Sequence, residues 1–381
     1  MFQHFSILQR TCLPPGIGGC PVAPRILSLT GIKWKVMPEE KKNFSAELKK
    51  AADAAAAEAG IVPPALDIVQ LNKGDKVGTW KISKKLGEGG FGAVYLVTDM
   101  TGKIEGEYAL KAEKATESVR VLKMEVFVLT ELKKANAKHF CDLLDRGRIS
   151  VYNYVVMTLV GPSFHDLRKV YTDKDKQKFS LGCACSVGIK CIEAIEELHS
   201  VGYLHRDLKP GNFAIGKADP RKVIMLDFGM ARKYIDAQGK QRAPRWAAGF
   251  RGTVRYAPLS CHISRDQCRK DDLETWLYMQ IELTRGNLPW KSIENREEMG
   301  RYKERCRGEG IKELMGGCPK EYVDIMLFVD SLCYYTPPKY ALIMDLLKTA
   351  ISVNNLVEYP YDWEKATAAV AAGGPGASGP A

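Results

Sequence analysis

Two short polar segments constrain this 381-residue chain more than anything else in it. Residues 205–212 read His-Arg-Asp-Leu-Lys-Pro-Gly-Asn, and Asp227-Phe228-Gly229 begins fifteen positions after Asn212. Together they spell a catalytic loop and a metal loop for phosphoryl transfer. Asp207 is the candidate to hold an acceptor hydroxyl and take its proton late in transfer, and Asn212 and Asp227 are the candidates to hold magnesium on ATP. One such tripeptide carries little weight. The full set, in order, predicts both a fold and a reaction.

Hydrophobic patterning divides the chain around these loops. From Trp80, the segments WKISKKLGEG, AVYLVTD and GEYALKAE read as three short strands separated by turn residues. Residues 118–134 read as a helix with apolar positions at Val121, Leu122, Val126, Leu129 and Leu132. A buried strand is expected over 152–160. After Gly161 the pattern turns helical, with a long apolar helix over 181–200 and further helices over 271–284, 321–333 and 340–350. The expected fold class is α+β and bilobal: a small antiparallel sheet with one main helix, then a larger helical lobe.

Gly87-Glu88-Gly89-Gly90-Phe91-Gly92-Ala93-Val94 is a G-x-G-x-x-G-x-V loop between two strands, unlike the dinucleotide fingerprint, which enters a helix. Its glycines let a hairpin lie close over phosphates, and Phe91 at the tip is placed to shield them from water. Lys111, ending the third strand, is the candidate to neutralise the α- and β-phosphates and needs a carboxylate to hold it. Glu125 is favoured because it lies mid-helix between Met124 and Val126; Glu113 and Glu117 are rivals by charge alone. Lys209 points to Ser/Thr acceptors and can stabilise the transferred phosphoryl group.

Residues 1–75 are expected to be an extension, largely disordered, with a short helix at 44–59. A catalytic domain is expected at 76–355, split into lobes at 76–160 and 161–355, and a disordered tail at 367–381, with Trp363 as its last anchored side chain. No apolar run approaches a membrane span, and the N-terminus lacks the pattern of a signal peptide. The eleven cysteines show no metal-binding spacing and read as buried thiols in a reducing compartment, cytoplasmic or nuclear. The net charge of +11 suits acidic or phosphorylated protein partners; nucleic acid is not expected, because the basic residues are dispersed and no recognition motif accompanies them.

Residues from about 78 to 350 resemble the casein kinase 1 superfamily, and most of all its tau-tubulin kinase branch. The resemblance rests on Val160-Gly161-Pro162-Ser163 with Asp166-Leu167, on Asn212-Phe213-Ala214-Ile215-Gly216, on Met225 to Arg232, on Gly249 to Ala257, on Asp271-Asp272-Leu273-Glu274 and on Leu288-Pro289-Trp290. It implies a Ser/Thr protein kinase using ATP and Mg2+, with cytoskeletal proteins among its substrates. It also implies a nucleotide site that includes Leu86, Gly87, Gly89, Gly92, Val94, Ala109 and Lys111, with Met157 behind the adenine and Thr158, Leu159 and Val160 as the hinge. Arg206, Arg232 and Arg255 become a basic cluster near the activation segment, able to bind an acidic or pre-phosphorylated side chain; the alternative is that they brace the loop and pair with local carboxylates. Asp272 becomes the buried anchor of the His205-Arg206-Asp207 backbone.

Three departures bear on specificity. Pro258 stands where the superfamily commonly has serine, Leu277 stands where many kinases have glycine, and the usual Glu clamp after the activation segment is absent. Between Asp227 and Ala257 the hydroxyl-bearing residues are Tyr234, Thr253 and Tyr256, so activation by loop phosphorylation is not expected. Two competing readings are a pseudokinase scaffold that binds nucleotide or partners without turnover, and a small-molecule kinase sharing the fold.

Overall fold

The structure, a computed structural model, describes residues 69–89, 92–115, 121–149, 151–172 and 177–365. The expected helix at 44–59, the tail at 367–381, Glu117 and the loop-tip residue Phe91 lie outside the described residues.

Six strands form the first sheet: β1 (Lys76–Val77), β2 (Trp80–Gly89), β3 (Gly92–Asp99), β4 (Tyr108–Lys114), β5 (Leu143–Ile149) and β6 (Tyr152–Thr158). Their spatial order is β1-β2-β3-β4-β6-β5, antiparallel throughout. Strand β5 has no counterpart in the sequence reading. Its sequence, LLDRGRI, carries three charges, and it pairs on one side only, with β6; an edge strand tolerates charges that would be costly in the sheet interior. One helix, α1 (Val121–Lys134), buries Val121, Leu122, Val128, Leu129 and Leu132, a helical-period stripe that also carries Glu125 inward. This is the expected antiparallel lobe with a single main helix.

The expected strand over 152–160 ends at Thr158. The chain then forms β7 (Val160–Ser163), which pairs with a second sheet instead. That switch carries the chain from one lobe to the other. Ser163 begins α2 (Phe164–Val170) with a capping box, its hydroxyl accepting from the Asp166 backbone. The second lobe continues through α3 (Leu181–Ser200), β8 (Tyr203–Leu204), β9 (Phe213–Gly216), β10 (Val223–Met225), β11 (Arg232–Lys233) and α4 (Leu259–His262). It closes with α5 (Arg269–Arg285), α6 (Arg296–Arg305), α7 (Ile311–Met315), α8 (Glu321–Ser331) and α9 (Tyr340–Val353).

Helix α5 is buried continuously from Asp271 to Thr284, so it is the lobe's central post and not an amphipathic surface helix. Cys183, Cys185 and Cys191 of α3 are free, buried thiols in the surrounding core. The packed body exceeds the 76–355 limits read from the sequence. Tyr95 Oη donates to Val69 O at 2.6 Å, and at the other end Trp363 is buried against Phe164 and Phe179, with the buried Tyr361 packed on Trp363. Trp363 Nε1 also donates to Pro220 O at 3.1 Å. Among the described residues no helix is long and apolar enough to cross a membrane.

Candidate active site

Lys111 Nζ lies 2.8 Å from Glu125 Oε2 and 3.3 Å from Asp227 Oδ1, so β4, α1 and the loop after β10 converge on one ammonium group. Burial alone would draw the lysine down, but the charges of Glu125 and Asp227 outweigh it and hold the group above its ordinary value. Burial likewise pushes the Asp227 carboxyl up, and Lys111 together with His205 reverses that and leaves it below the usual carboxylate range. Between Glu125 and Glu113, the lysine pairs with Glu125. Glu113 is occupied elsewhere, accepting from Leu122 N at 2.9 Å in the first turn of α1, one of the donors a helix N-terminus leaves unmet.

Asp227 has φ +64° and Arg206 φ +68°, values rare outside glycine. Both need support from their surroundings to persist. For Arg206 the support is Asp272: its Oδ2 accepts from His205 N and its Oδ1 from Arg206 N, each at 2.8 Å. Asp272 is fully buried on α5 and also meets His199 Nε2 at 2.9 Å. Burial opposes its ionisation, but these donors hold its carboxyl below the ordinary range. Beside it, the Phe228 ring sits between Phe140 and His205, at 5.8 and 5.6 Å between centroids, which fixes the loop that carries Asp227.

The Asp207 carboxylate is surrounded by donors. Lys209 Nζ lies 2.7 Å from Oδ2, and Thr253 gives both its backbone N–H and its hydroxyl to Oδ1 at 2.7 Å. Asn212 donates Nδ2 to Asp207 O at 2.9 Å, which leaves its Oδ1 as the side-chain acceptor. Gly252 makes the Thr253 contact achievable: it has φ +105°, and a Cβ there would lie 2.5 Å from Arg206 O.

Val94, Ala109, Met157, Leu159 and Val160 share one apolar cluster with Leu122, Cys141, Ile224 and Leu226. Leu86 is exposed at the near end of β2. Thr158 donates its N–H to Asp142 O at 3.1 Å. In the glycine loop, a Cβ on Gly87 would meet nothing within 4 Å, whereas one on Gly92, at φ +144°, would lie 2.1 Å from Ala112 O. The first glycine thus faces open space, and the last is required by the sheet. Gly89 pairs with Gly92 across the turn.

The three arginines grouped by the sequence separate. Arg206 donates Nε to Met230 O at 2.8 Å, and Arg232 pairs with Asp266 at 3.2 Å. Arg255 turns to Glu282, also at 3.2 Å, where Arg168 binds the same carboxylate. In its place Arg245 joins the first two, meeting Asp266 at 3.0 Å. Burial, then the charges of Arg232 and Arg245, bring the Arg206 guanidinium down to about 10. A basic segment, Arg242 to Arg245, was the only local signal for Arg245.

A second feature had no local signal. Glu274 on α5 accepts from Leu259 N at 3.0 Å and from Arg307 Nη2 at 2.9 Å, with both side chains buried. The activation segment lacks its own glutamate clamp, and a carboxylate from the central helix holds its end instead.

The protein kinase domain family matches residues 80–331. A probable serine/threonine-protein kinase of Dictyostelium discoideum is 36% identical over 293 residues, covering 76% of this chain and 57% of that protein. The serine/threonine-protein kinase spe-6 of Caenorhabditis elegans is 37% identical over 292 residues, covering 75% of both chains. A putative serine/threonine-protein kinase of the same worm is 36% identical over 293 residues, 75% of this chain and 82% of its own length. The match thus spans a little over half of the Dictyostelium protein and three quarters or more of the worm proteins. With this extent of similarity over the two lobes and the cleft between them, the chain belongs to the protein kinase family and carries a serine/threonine kinase domain.

Proposed function

We propose that this chain transfers the γ-phosphoryl group of Mg-ATP to serine or threonine hydroxyls of acidic or pre-phosphorylated proteins, as a member of the casein kinase 1 superfamily near its tau-tubulin branch. The observation that carries the catalytic part is the joint placement of Lys111, Glu125 and Asp227 in one ion-paired group. A scaffold without turnover has no need to keep all three. Cytoskeletal proteins are the substrate class suggested by the branch, and cytoplasm or nucleus the setting suggested by the free thiols.

The residues fit the nucleotide and its metal. Asp227 offers a carboxylate and Asn212 the Oδ1 left by its bond to Asp207, a small all-oxygen set of the kind magnesium takes when phosphates and water complete its shell. When bound, the metal neutralises the charge that develops on the phosphates. Lys111, held by Glu125, binds the phosphate oxygens, and Gly87 leaves backbone room beside them. Val94, Ala109, Met157, Leu159 and Val160 enclose the base. Asp207 orients the acceptor hydroxyl, whose oxygen bonds to the γ-phosphorus as the bond to the leaving diphosphate oxygen breaks; Asp207 takes the proton. Lys209 stabilises the oxygens of the moving group.

For substrate choice, Arg206, Arg232 and Arg245 set three guanidinium groups against the two carboxylates of Asp266 and Asp272, a surplus of positive charge suited to an acidic or phosphorylated side chain. Arg255, about two fifths exposed, is a second candidate. Phosphate transfer to casein by the wild type and by Asp207→Ala tests the catalytic part: equal backgrounds would favour the scaffold. A peptide library with and without priming phosphates, repeated with Arg232→Ala and Arg255→Ala, tests the preference, and an unchanged profile in both variants rejects the arginine assignment.

A further inference from the structure

The mechanism leaves the buried cation of Lys303 unused. Lys303 of α6 is fully buried, and its Nζ donates to Val254 O at 2.8 Å and Ala257 O at 2.7 Å, with His262 Nε2 at 3.1 Å. The ammonium also lies over the faces of Tyr278 and Trp290, at 5.2 and 5.3 Å from the ring centroids. Trp290 Nε1 donates to the intervening carbonyl, Arg255 O, at 2.9 Å. Three carbonyls of the four-residue stretch 254–257 are therefore fixed from beneath. That stretch directly follows Thr253, which touches Asp207.

We infer that Lys303 is a positioning residue for the protein acceptor: it holds residues 254–257 in the shape that presents the acceptor hydroxyl to Asp207. This deepens the reading of the site as a protein kinase and rests on it.

The three contacts of Nζ have a proton requirement. His262 Nδ1 lies 2.9 Å from Arg296 O and must donate to it, so Nε2 is an acceptor. An ammonium has three N–H donors for three acceptors; a neutral amine has two. Loss of the proton strips a donor from Val254 O, Ala257 O or His262. The groups facing Lys303 are Glu274 and Tyr278 from α5, Cys261 and His262 from α4, Trp290, and Arg307 just beyond α6. Burial, with Arg307 adding to it against the attraction of Glu274, brings Lys303 down to about 7. Burial and the charge of Lys303 bring His262 down to about 4, so it stays neutral above that.

The consequence for stability has the opposite sign from the consequence for binding. The folded value lies below that of the unfolded chain, so the unfolded chain holds more protons between the two, and this group's contribution to stability rises with pH across that window. A rise in acceptor KM above pH 7 therefore cannot be attributed to this lysine weakening the fold.

The test is casein kinetics on the full chain, wild type and Lys303→Met, from pH 6 to 9. The expected result for Lys303→Met is an acceptor KM raised about tenfold, with the KM for ATP within about twofold of wild type. In the wild type, acceptor KM should climb as pH rises through 7 while ATP KM does not, and this step should vanish in the variant. An active wild type whose acceptor KM is unmoved by Lys303→Met overturns the inference alone, as does a variant in which both KM values rise together. If Lys303→Met does not fold, the wild-type profile decides: a step in acceptor KM without one in ATP KM supports the role, and a flat profile rejects it. A wild type that transfers no phosphate sinks the kinase reading itself, and the inference with it.

Discussion

Thr253 gives its backbone N–H and its hydroxyl to the same oxygen of Asp207, each at 2.7 Å, across 46 residues of chain. Lys209 Nζ bonds the other oxygen and also lies 3.3 Å from Thr253 Oγ1, closing a three-residue ring. Thr253 is thus tied into the site and is poorly placed to receive a regulatory phosphate. It reports instead whether the activation segment is docked.

Replacing Thr253 with valine keeps the shape and the backbone bond but removes the hydroxyl. Expected kcat for casein falls on the order of tenfold, the scale of one hydrogen bond to a charged group, while Thr253→Ser stays within about threefold of wild type. Steady-state phosphate incorporation measures both, and equal rates for valine and serine would show that the hydroxyl has no part.

Glu125→Gln tests the ion pair on which the nucleotide site depends. The amide can still hydrogen-bond Lys111 but no longer offsets its charge, and Asp227 is left as the ion-pair partner of Lys111 among the described residues. The expected loss in kcat/KM for ATP is about a hundredfold, with the far-ultraviolet spectrum unchanged. A variant with wild-type kcat/KM would mean that Glu125 is only a core residue.

The catalytic ladder was legible in the sequence because its residues sit within short motifs: Lys111 in a strand, Asp207 and Asn212 in one octapeptide, Asp227 two residues before a glycine. Glu125 could be picked from its rivals because the apolar neighbours Met124 and Val126 marked a helix interior. Contacts made across the fold had no such mark. Glu274 was noticed only as part of a motif, and its partner Arg307 is 33 residues away on a different element, with no periodicity linking them. For the arginine group of Arg206, Arg232 and Arg255 the sequence leaves two readings open, an anion cluster or pairing with local carboxylates, and Arg255 takes the second: a turn at Thr253 to Ala257 directs it to Glu282 on α5, a contact across the fold that no local pattern marks. Strand β5 carries no apolar alternation because an edge position lets the charges of Asp145, Arg146 and Arg148 stand in it.

The Glu274–Arg307 pair predicts a strongly non-additive pair of substitutions. Both side chains are nearly fully buried, and Glu274 also accepts from Leu259 N and Tyr278 Oη. Removing Arg307 leaves Glu274 without its ion-pair partner in the core, a break that costs about 3–5 kcal/mol, whereas removing Glu274 leaves Arg307 the longer pair to Asp330 at 3.4 Å and costs less. Urea unfolding of Glu274→Gln, Arg307→Met and the double variant should show each single change more destabilising than its share of the double. Additive losses would show that the two side chains act independently.

Asp271 offers a pH test in the neighbouring turn. Its Oδ2 accepts from Cys268 N at 2.6 Å, while Oδ1 is buried with no hydrogen-bond partner among the described residues. Burial is the main cause that raises this carboxyl to about 6. The folded value lies above that of the unfolded chain, near 3.9, so the folded chain holds the extra proton between the two. Stability from this group is therefore full below the lower value and declines as pH rises toward 6. Asn at this position can keep the bond to Cys268 N and carries no charge. Relative to wild type, Asp271→Asn should gain stability between pH 4 and pH 8, by about 2–3 kcal/mol at most, for a shift of roughly two pH units at 1.36 kcal/mol each. Thermal or urea unfolding at the two pH values measures the difference, and a gap between variant and wild type that does not change with pH would mean that Asp271 titrates alike in the folded and unfolded chains.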